Sequence, residues 1–121
     1  MSGLSNAAMV VAANAIRTAL RYGQLHTDDP GEGGAANKST AAMVAPSWTT
    51  AVADGDFGLA TDMLFTGGTP NGPTKYISFW SSNTAGATWY GNFALTGDLT
   101  FDNSGSYTVR SGDINFNGSS S

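Results

Sequence analysis

The side chains best suited to acid–base or nucleophilic chemistry are few and are spread along the chain. His26 is the single histidine, and two carboxylates, Asp28 and Asp29, follow it closely. A serine nucleophile needs a histidine base and a carboxylate that orients the base, so this cluster offers two of the three groups. No Gly-x-Ser-x-Gly turn is present to expose a serine. We therefore expect His26 to be a half-buried structural residue that precedes a turn.

The densest group of acids is Asp28, Asp29 and Glu32, which has the oxygen chemistry that calcium prefers. The Pro-Gly pair after Asp29 interrupts the alternating ligand spacing of an EF-hand loop. An Asp-Pro-Gly sequence is typical of a tight turn with solvated acids. We therefore expect a turn here rather than a metal site.

Two further acids, Asp54 and Asp56, flank a glycine and give a weaker metal signal. Glycoside cleavage needs two carboxylates at a defined separation, but most acids of this chain lie in turn sequences, where Asp is common anyway. The chain has no cysteine, hence no thiolate ligand and no Cys nucleophile. We predict that the protein is not an enzyme and holds no metal or other cofactor.

The large aromatic side chains are the remaining candidates for a binding role. Exposed, they would form a platform for sugars; buried, they anchor a core or an interface. Because a chain with 11% aromatic residues needs most of them for its core, burial is favoured. Trp89 and Tyr90 are adjacent, so in a strand they face opposite sides. The predicted intersubunit contacts are Trp89, Tyr90, Trp80 and Trp48.

The composition predicts an exterior with little charge. Only 12% of residues are charged, whereas 52 of the 121 are Gly, Ser, Thr or Asn. The net charge is -4 and the five basic residues are scattered, which argues against nucleic acid or an anionic membrane as partner. No apolar run approaches the roughly 20 residues of a transmembrane helix, and we expect no signal peptide. Small uncharged polar surfaces lose little side-chain entropy on contact, which favours dense self-association.

One helix is predicted, over residues 5–22. Ser5 is a suitable N-cap, and Gly23 is suited to the left-handed position that ends a helix. Apolar residues recur at helical spacing, which predicts that this stripe packs on a sheet. The stripe comprises Met9, Ala13, Ile16 and Leu20.

Short β-prone runs separated by turn residues make up the rest. We predict strands at residues 24–27, 42–48, 59–65, 76–80, 88–95, 99–101, 107–109 and 114–116. The expected organisation is a single α+β, mainly β domain over residues 1–121, with the helix packed on an antiparallel β-sandwich or small barrel. A polar loop covers residues 28–41, the β-rich region covers 42–117, and a polar tail covers 118–121.

Several segments together resemble a family of small actinobacteriophage proteins, usually labelled tail fibre or minor virion proteins. The segments are L-S-N-A-A at residues 4–8, L-H-T-D-D-P-G at 25–31, I-S-F-W at 77–80, Y-T-V at 107–109 and G-D-I at 112–114. The resemblance covers residues 4–31 and 58–116, and its motifs are structural rather than catalytic. It implies a component of the phage particle.

The sequence and the resemblance together predict a non-enzymatic structural protein of a tailed-phage virion, made in the host cytoplasm and assembled into the particle. A fibre needs a repetitive shaft, and the chain has no heptads or collagen-like repeats, so we expect a subunit that decorates or stabilises the capsid. The expected partners are copies of itself, as a trimer, and a lattice such as the major capsid protein. The alternative is a tail, baseplate or tail-fibre subunit that binds a host receptor or glycan.

Overall fold

The structure is a computed structural model that describes residues 5–116. Within them it contains one helix, α1 (Asn6–Ala19), and seven strands. The strands are β1 (Tyr22–His26), β2 (Phe57–Gly58), β3 (Met63–Phe65), β4 (Tyr76–Trp80), β5 (Trp89–Ala94), β6 (Tyr107–Val109) and β7 (Asn115–Phe116). The mainly β fold with antiparallel sheets is confirmed, although the described strands do not close into a barrel. The predicted polar tail lies outside the described residues.

Helix α1 begins where the sequence predicts but ends three residues early. The Ser5 hydroxyl accepts a hydrogen bond from the Ala8 backbone N–H at 3.1 Å, which satisfies a free donor of the first turn. Leu20 leaves the helical conformation at ψ 80°. Its carbonyl oxygen accepts the indole N–H of Trp48 at 3.0 Å. The predicted end at residue 22 is therefore wrong, because the chain turns at Leu20 to enter β1.

Gly23 lies inside β1 and does not end the helix. It pairs with Phe79 of β4 and is buried. A Cβ atom at this position would lie 2.9 Å from Met63 Cε and 3.2 Å from Ile77 Cδ1. The prediction of a helix-terminating glycine is wrong; the residue is small because β1 packs directly on β3.

Strands β1, β4 and β5 form one antiparallel sheet with β4 in the centre. The register between β4 and β5 changes near one end of the pair. Phe79 lies opposite Gly91, but the next pair is Trp80 with Trp89. Tyr90 is therefore an extra residue in a β-bulge, a feature that redirects a side chain.

The pairs β2–β7 and β3–β6 are successive parts of one antiparallel ribbon. Between them the ribbon is irregular: the Asp62 carboxylate accepts the Ser111 backbone N–H at 2.8 Å. The predicted strand at residues 59–65 is therefore interrupted at its centre. Met63 and Phe65 are buried as expected, whereas Thr61, predicted on the same face, is exposed.

Two other predicted strands are reduced to isolated β-bridges. Residues 42–48 contribute bridges at Val44 and Trp48, and residues 99–101 contribute one at Thr100. Val44 lies along the outer edge of β1, where Gly23 N–H donates to its carbonyl oxygen at 2.8 Å. These segments are wrong as strands, but the first of them covers the edge of the sheet.

The main core lies between the three-stranded sheet and the ribbon. Its fully buried members include Leu25, Ile77 and Phe79 from the sheet and Met63, Phe65 and Val109 from the ribbon. A second cluster, Ala13, Ala51 and Phe57, lies under α1.

The helix packs less deeply than its apolar stripe predicts. Ala13 and Leu20 are buried, but half of the Ile16 side chain is exposed at 50%. The prediction that Ile16 is buried against the sheet is therefore wrong. The contact partners available at this end, Phe93 and Phe116, leave an open space beside Ile16.

We expect Leu20→Asp and Ile16→Asp to differ sharply in stability. The Leu20 change buries an unpaired charge and should lower the free energy of unfolding by on the order of 4 kcal/mol. The Ile16 change keeps its charge in water and should cost about 1 kcal/mol. Urea denaturation of both variants measures the difference; equal losses would contradict the packing of α1.

Candidate functional site

Residues 28–41 fold back over one face of the three-stranded sheet, here named the loop-covered face. The Asn37 side-chain amide donates to the Asp29 carbonyl oxygen at 2.8 Å. The Asn92 side-chain amide of β5 donates to the Gly31 carbonyl oxygen, also at 2.8 Å. The predicted loop is therefore a cover that is hydrogen-bonded to itself and to the sheet.

Gly34 allows this cover to approach the sheet. Its φ is +66°, in the left-handed region that favours glycine. A Cβ atom would overlap the indole ring of Trp89 and lie 3.1 Å from Trp80 Cζ2. The loop thus closes directly over the two tryptophans.

A hydrogen-bond network centred on two fully buried residues, His26 and Ser78, lies beneath the loop. His26 Nδ1 is 2.8 Å from the Ala36 carbonyl oxygen, and its Nε2 is 2.7 Å from Ser78 Oγ. The indole N–H of Trp80 donates to the same Ser78 Oγ at 2.7 Å. Because a carbonyl only accepts, Nδ1 carries the proton, and Ser78 therefore donates to Nε2. The Ser78 hydroxyl thus accepts from Trp80 and donates to His26, so every donor and acceptor of the network is paired.

The Ser78–His26 pair has the separation of a nucleophile and its base, about 2.6–3.2 Å. The rest of the geometry differs from a catalytic site. Both residues have 0% exposure, and the histidine is oriented by a backbone carbonyl rather than a carboxylate. The Ser78 hydroxyl is also held by Trp80. The arrangement joins β1 to β4 and to the loop, and it offers no opening for a substrate.

Burial lowers the pKa of His26 below its ordinary value, with the positive charge of Lys38 acting in the same direction. The Ala36 carbonyl acts against them. Protonation would also turn Nε2 into a donor, which would leave the Ser78 proton without its acceptor. His26 is therefore neutral in the folded protein near pH 7.

The acids singled out in the sequence form turns. Asp28 Oδ1 accepts the Asp29 N–H, and Asp29 Oδ1 accepts the Gly31 N–H, both at 2.9 Å. Asp54 and Asp56 lie in a tight turn closed by the Val52–Asp56 bridge. Among residues 5–116, no three His, Asp or Glu side chains converge in a group that could hold a metal ion.

A polar cleft of about 430 Å³ lies beside β6. Its acids are bonded to their own turns: Asp98 accepts from Thr100, and Asp102 from Ser104 and Ser106. These hydrogen bonds lower the pKa of Asp102. The general acid of a glycosidase needs a raised pKa, so the pKa of Asp102 is shifted in the opposite direction.

The four aromatic interface candidates have different surroundings. Trp48 lies within an aromatic cluster, 5.6 Å from Phe57 and 5.5 Å from Phe116 between ring centroids. Trp80 lies under the Lys38 ammonium at 5.1 Å, and Trp89 is covered by the loop. Of the four, Tyr90, the bulged residue, is the most exposed, at 50%.

An apolar trough of about 400 Å³ lies beside Tyr90, between α1 and β5. It is named here the α1–β5 trough. Helix α1 and the residue after it contribute Ala15, Ile16, Ala19 and Leu20; β5 contributes Tyr90, Gly91 and Phe93; β7 contributes Phe116. None of these residues is charged. Ile16 and Phe116 also line a smaller groove that continues toward Met9 and Phe57.

The sequence did not predict the roles of Ser78 and of the trough. A serine within the apolar run I-S-F-W is a signal for a buried hydroxyl that needs a partner. The sequence does not indicate the trough, because Ile16 and Phe116 lie at positions where the apolar pattern predicts buried core residues.

Comparison with protein-family models, with curated proteins and with solved structures finds no match. In the described part of the chain, α1 is too short and insufficiently apolar to cross a membrane. The assignment of function therefore depends on the geometry and on the sequence itself.

The pKa of His26 predicts a pH dependence of stability. Above pH about 6.5, the ordinary pKa of histidine, the side chain is mostly neutral in both the folded and the unfolded protein. Below it the unfolded chain takes up a proton before the folded protein does, so stability falls as pH falls toward the lower folded pKa. The slope should be at most about 1.4 kcal/mol per pH unit.

Urea denaturation between pH 7.5 and 5 measures this slope. The chain has one histidine, so His26→Gln should remove the slope in that window. A wild-type stability that stays constant across this range would contradict the neutral, buried ring.

The Thr74 hydroxyl is buried and has no hydrogen-bond partner among residues 5–116. Thr74→Val removes that hydroxyl at nearly constant shape and should raise the free energy of unfolding by about 1 kcal/mol. Ser78→Ala is the matched comparison, since it leaves the His26 and Trp80 nitrogens unpaired and should cost about 1–3 kcal/mol. Thermal unfolding that moves both variants in the same direction would contradict this assignment.

Proposed function

We propose that this protein is an accessory structural subunit of a tailed-phage virion, which decorates or stabilises the capsid without catalysing a reaction. It works through contacts with copies of itself and with a larger lattice such as the major capsid protein. It needs no cofactor, and its place of action is the phage particle.

The observation that carries this proposal is the uncharged apolar surface formed by α1 and β5. The α1–β5 trough, the half-exposed Ile16 and the half-exposed Tyr90 lie together on it. Large exposed apolar patches mark interaction sites on soluble proteins. Aromatic side chains at such sites are common anchors of interfaces. A surface of this kind suits a protein whose activity is packing.

The polar groups support the same role. The hydrogen-bonded pair with catalytic spacing, Ser78 and His26, is sealed beneath the loop. The acids at Asp28, Asp29 and Asp102 are used in turns. The resemblance to small virion proteins supplies the setting, a phage particle, in which packing is the activity.

The polar cleft favours a second candidate, a tail, baseplate or tail-fibre subunit that binds a host receptor or glycan. Its walls present hydroxyl and carboxylate groups, such as Asp98, Thr100 and Tyr107, beside Arg110. Groups of this kind hydrogen-bond to sugar hydroxyls. This candidate requires the cleft, and not the trough, to carry the contact that matters.

Phage particles that lack the protein distinguish the two candidates. A decorating subunit is dispensable for assembly, so the particles should form but release their contents at a lower temperature or under milder osmotic shock. Addition of the purified protein should restore the resistance. Particles of normal robustness that fail to adsorb to cells would instead support receptor binding.

The trough and the cleft can be tested separately in that restoration assay. Tyr90→Glu places a charge at the trough and should abolish binding to particles. Thr108→Glu, an exposed change at the cleft, should leave binding intact. Binding that survives Tyr90→Glu but is lost in Thr108→Glu would show that the cleft carries the contact.

A further inference from the structure

The two edges of the three-stranded sheet differ in whether other residues of the chain hydrogen-bond to them. The outer edge of β1 is occupied by the chain itself: Gly23 exchanges backbone hydrogen bonds with Val44, and Ser39 N–H donates to the Leu25 carbonyl oxygen at 3.0 Å. No described strand pairs with the outer edge of β5. An unpaired strand edge is a template for another strand.

The backbone groups on that free edge can be identified. Leu95 N–H donates to the Lys75 carbonyl oxygen at 2.8 Å, so Leu95 and Lys75 form a hydrogen-bonded pair that continues the β4–β5 ladder. In an antiparallel ladder such pairs alternate. Phe93 therefore faces β4 with its backbone groups, whereas Asn92 and Ala94 direct theirs away from the sheet.

The usual protection of an edge is largely absent. Exposed edges are commonly guarded by Lys, Pro or inward-pointing charges. Residues 76–97 contain no charged residue and no proline. The bulge at Tyr90 is the one guarding device in β5, and it leaves residues 91–94 in regular register.

Next to this edge lie a projection and a recess. Tyr90 projects from the bulge with 50% of its surface exposed. The α1–β5 trough is open above Gly91, where a Cβ atom would meet only Phe93 Cε2, at 3.9 Å. A surface that carries both a knob and a hole can complement itself across a two-fold axis.

We infer that two copies of this chain pair antiparallel through their β5 edges, with Tyr90 of each copy packed against the α1–β5 trough of the other. The charges fit a copy rather than a charged partner. The chain has a net charge of -4, but the trough and residues 76–97 are neutral, so the two copies meet without desolvating a charge. The same edge serves both copies, which gives a two-fold pair in place of the trimer expected from the sequence.

The size of the surface makes the pair weak for free subunits. A half-exposed tyrosine contributes about 100 Å² to an interface. One short strand edge and one helix flank add to this, but a standard stable interface needs about 800 Å² per partner. The pair therefore forms at high local concentration, as on a particle surface. In that respect it rests on the proposed function, although the pairing itself needs no virion.

Sedimentation equilibrium of the intact protein tests the pairing. The mass should rise with concentration from 12.4 kDa toward twice that value, up to about millimolar protein. In the same series, the backbone amide resonances of Asn92 and Ala94 should shift, whereas those of Phe93 and Val11 should not. A single mass of one chain at all concentrations, or a mass of three chains, would overturn the inference.

Variants separate the edge from the rest of the surface. Ala94→Pro removes an outward N–H without touching the ladder with β4 and should abolish association. Tyr90→Glu should weaken association at least ten-fold and keeps the edge intact. Val11→Glu is the matched control, because Val11 is 71% exposed on α1 and does not line the trough.

Each outcome has a meaning. If Ala94→Pro fails to fold, the association of Tyr90→Glu and the amide shifts of Asn92 and Ala94 test the pairing instead. Association that survives Tyr90→Glu but is lost in Val11→Glu would place the contact on the outer side of α1 and overturn the inference. Pairing in solution by a protein that does not bind phage particles would retain this inference and reject the proposed function.

Discussion

The Ser78 hydroxyl lies at the centre of the loop-covered face and has to satisfy two rings at once. It accepts from the Trp80 indole and donates to the His26 imidazole, and the imidazole in turn donates to the Ala36 carbonyl of the loop. Removal of any member would leave a buried polar group unpaired. The positions of β1, β4 and the loop are thereby tied to one oxygen atom.

This tie determines which surfaces remain for contact. One face of the three-stranded sheet is covered by the loop, and the other faces the core. The edge of β1 is covered by residues 38–44. Among residues 5–116 no strand pairs with the outer edge of β5, and the apolar trough lies open between that strand and α1. The trough is thus an uncharged apolar surface that the described residues leave open.

Much of the fold follows from local sequence signals. Residues 76–80 and 107–109 were predicted as strands with the observed bounds, because each is a β-prone run between turn residues. The N-cap at Ser5 also follows from residue type. The predictions fail where contacts between residues distant in sequence determine the local structure. Gly23 is small because Met63 and Ile77 pack against it, and Leu20 leaves the helix where its carbonyl oxygen accepts the Trp48 indole N–H.

The candidate site was less predictable for the same reason. Tyr90 was named as an interface residue from its position next to Trp89, and it is the exposed member of the pair. The partners that make the trough come from α1, β5 and β7, which are far apart in sequence. Periodicity reports which residues are apolar, but it does not report which apolar surfaces meet.

The pairing of the strands has a consequence for the order in which the molecule is built. Of the paired strands, only β4 and β5 follow each other directly in the sequence. Strand β1 cannot pair until β4 has been made, and β2 cannot pair until β7 has been made, at residues 115–116. Chains dominated by such non-local pairings fold slowly because distant segments must meet before any contact rewards them. During synthesis the β2–β7 pair cannot form until residue 116 has left the ribosome, and until then Phe57 and Trp48 lack their contact with the ring of Phe116.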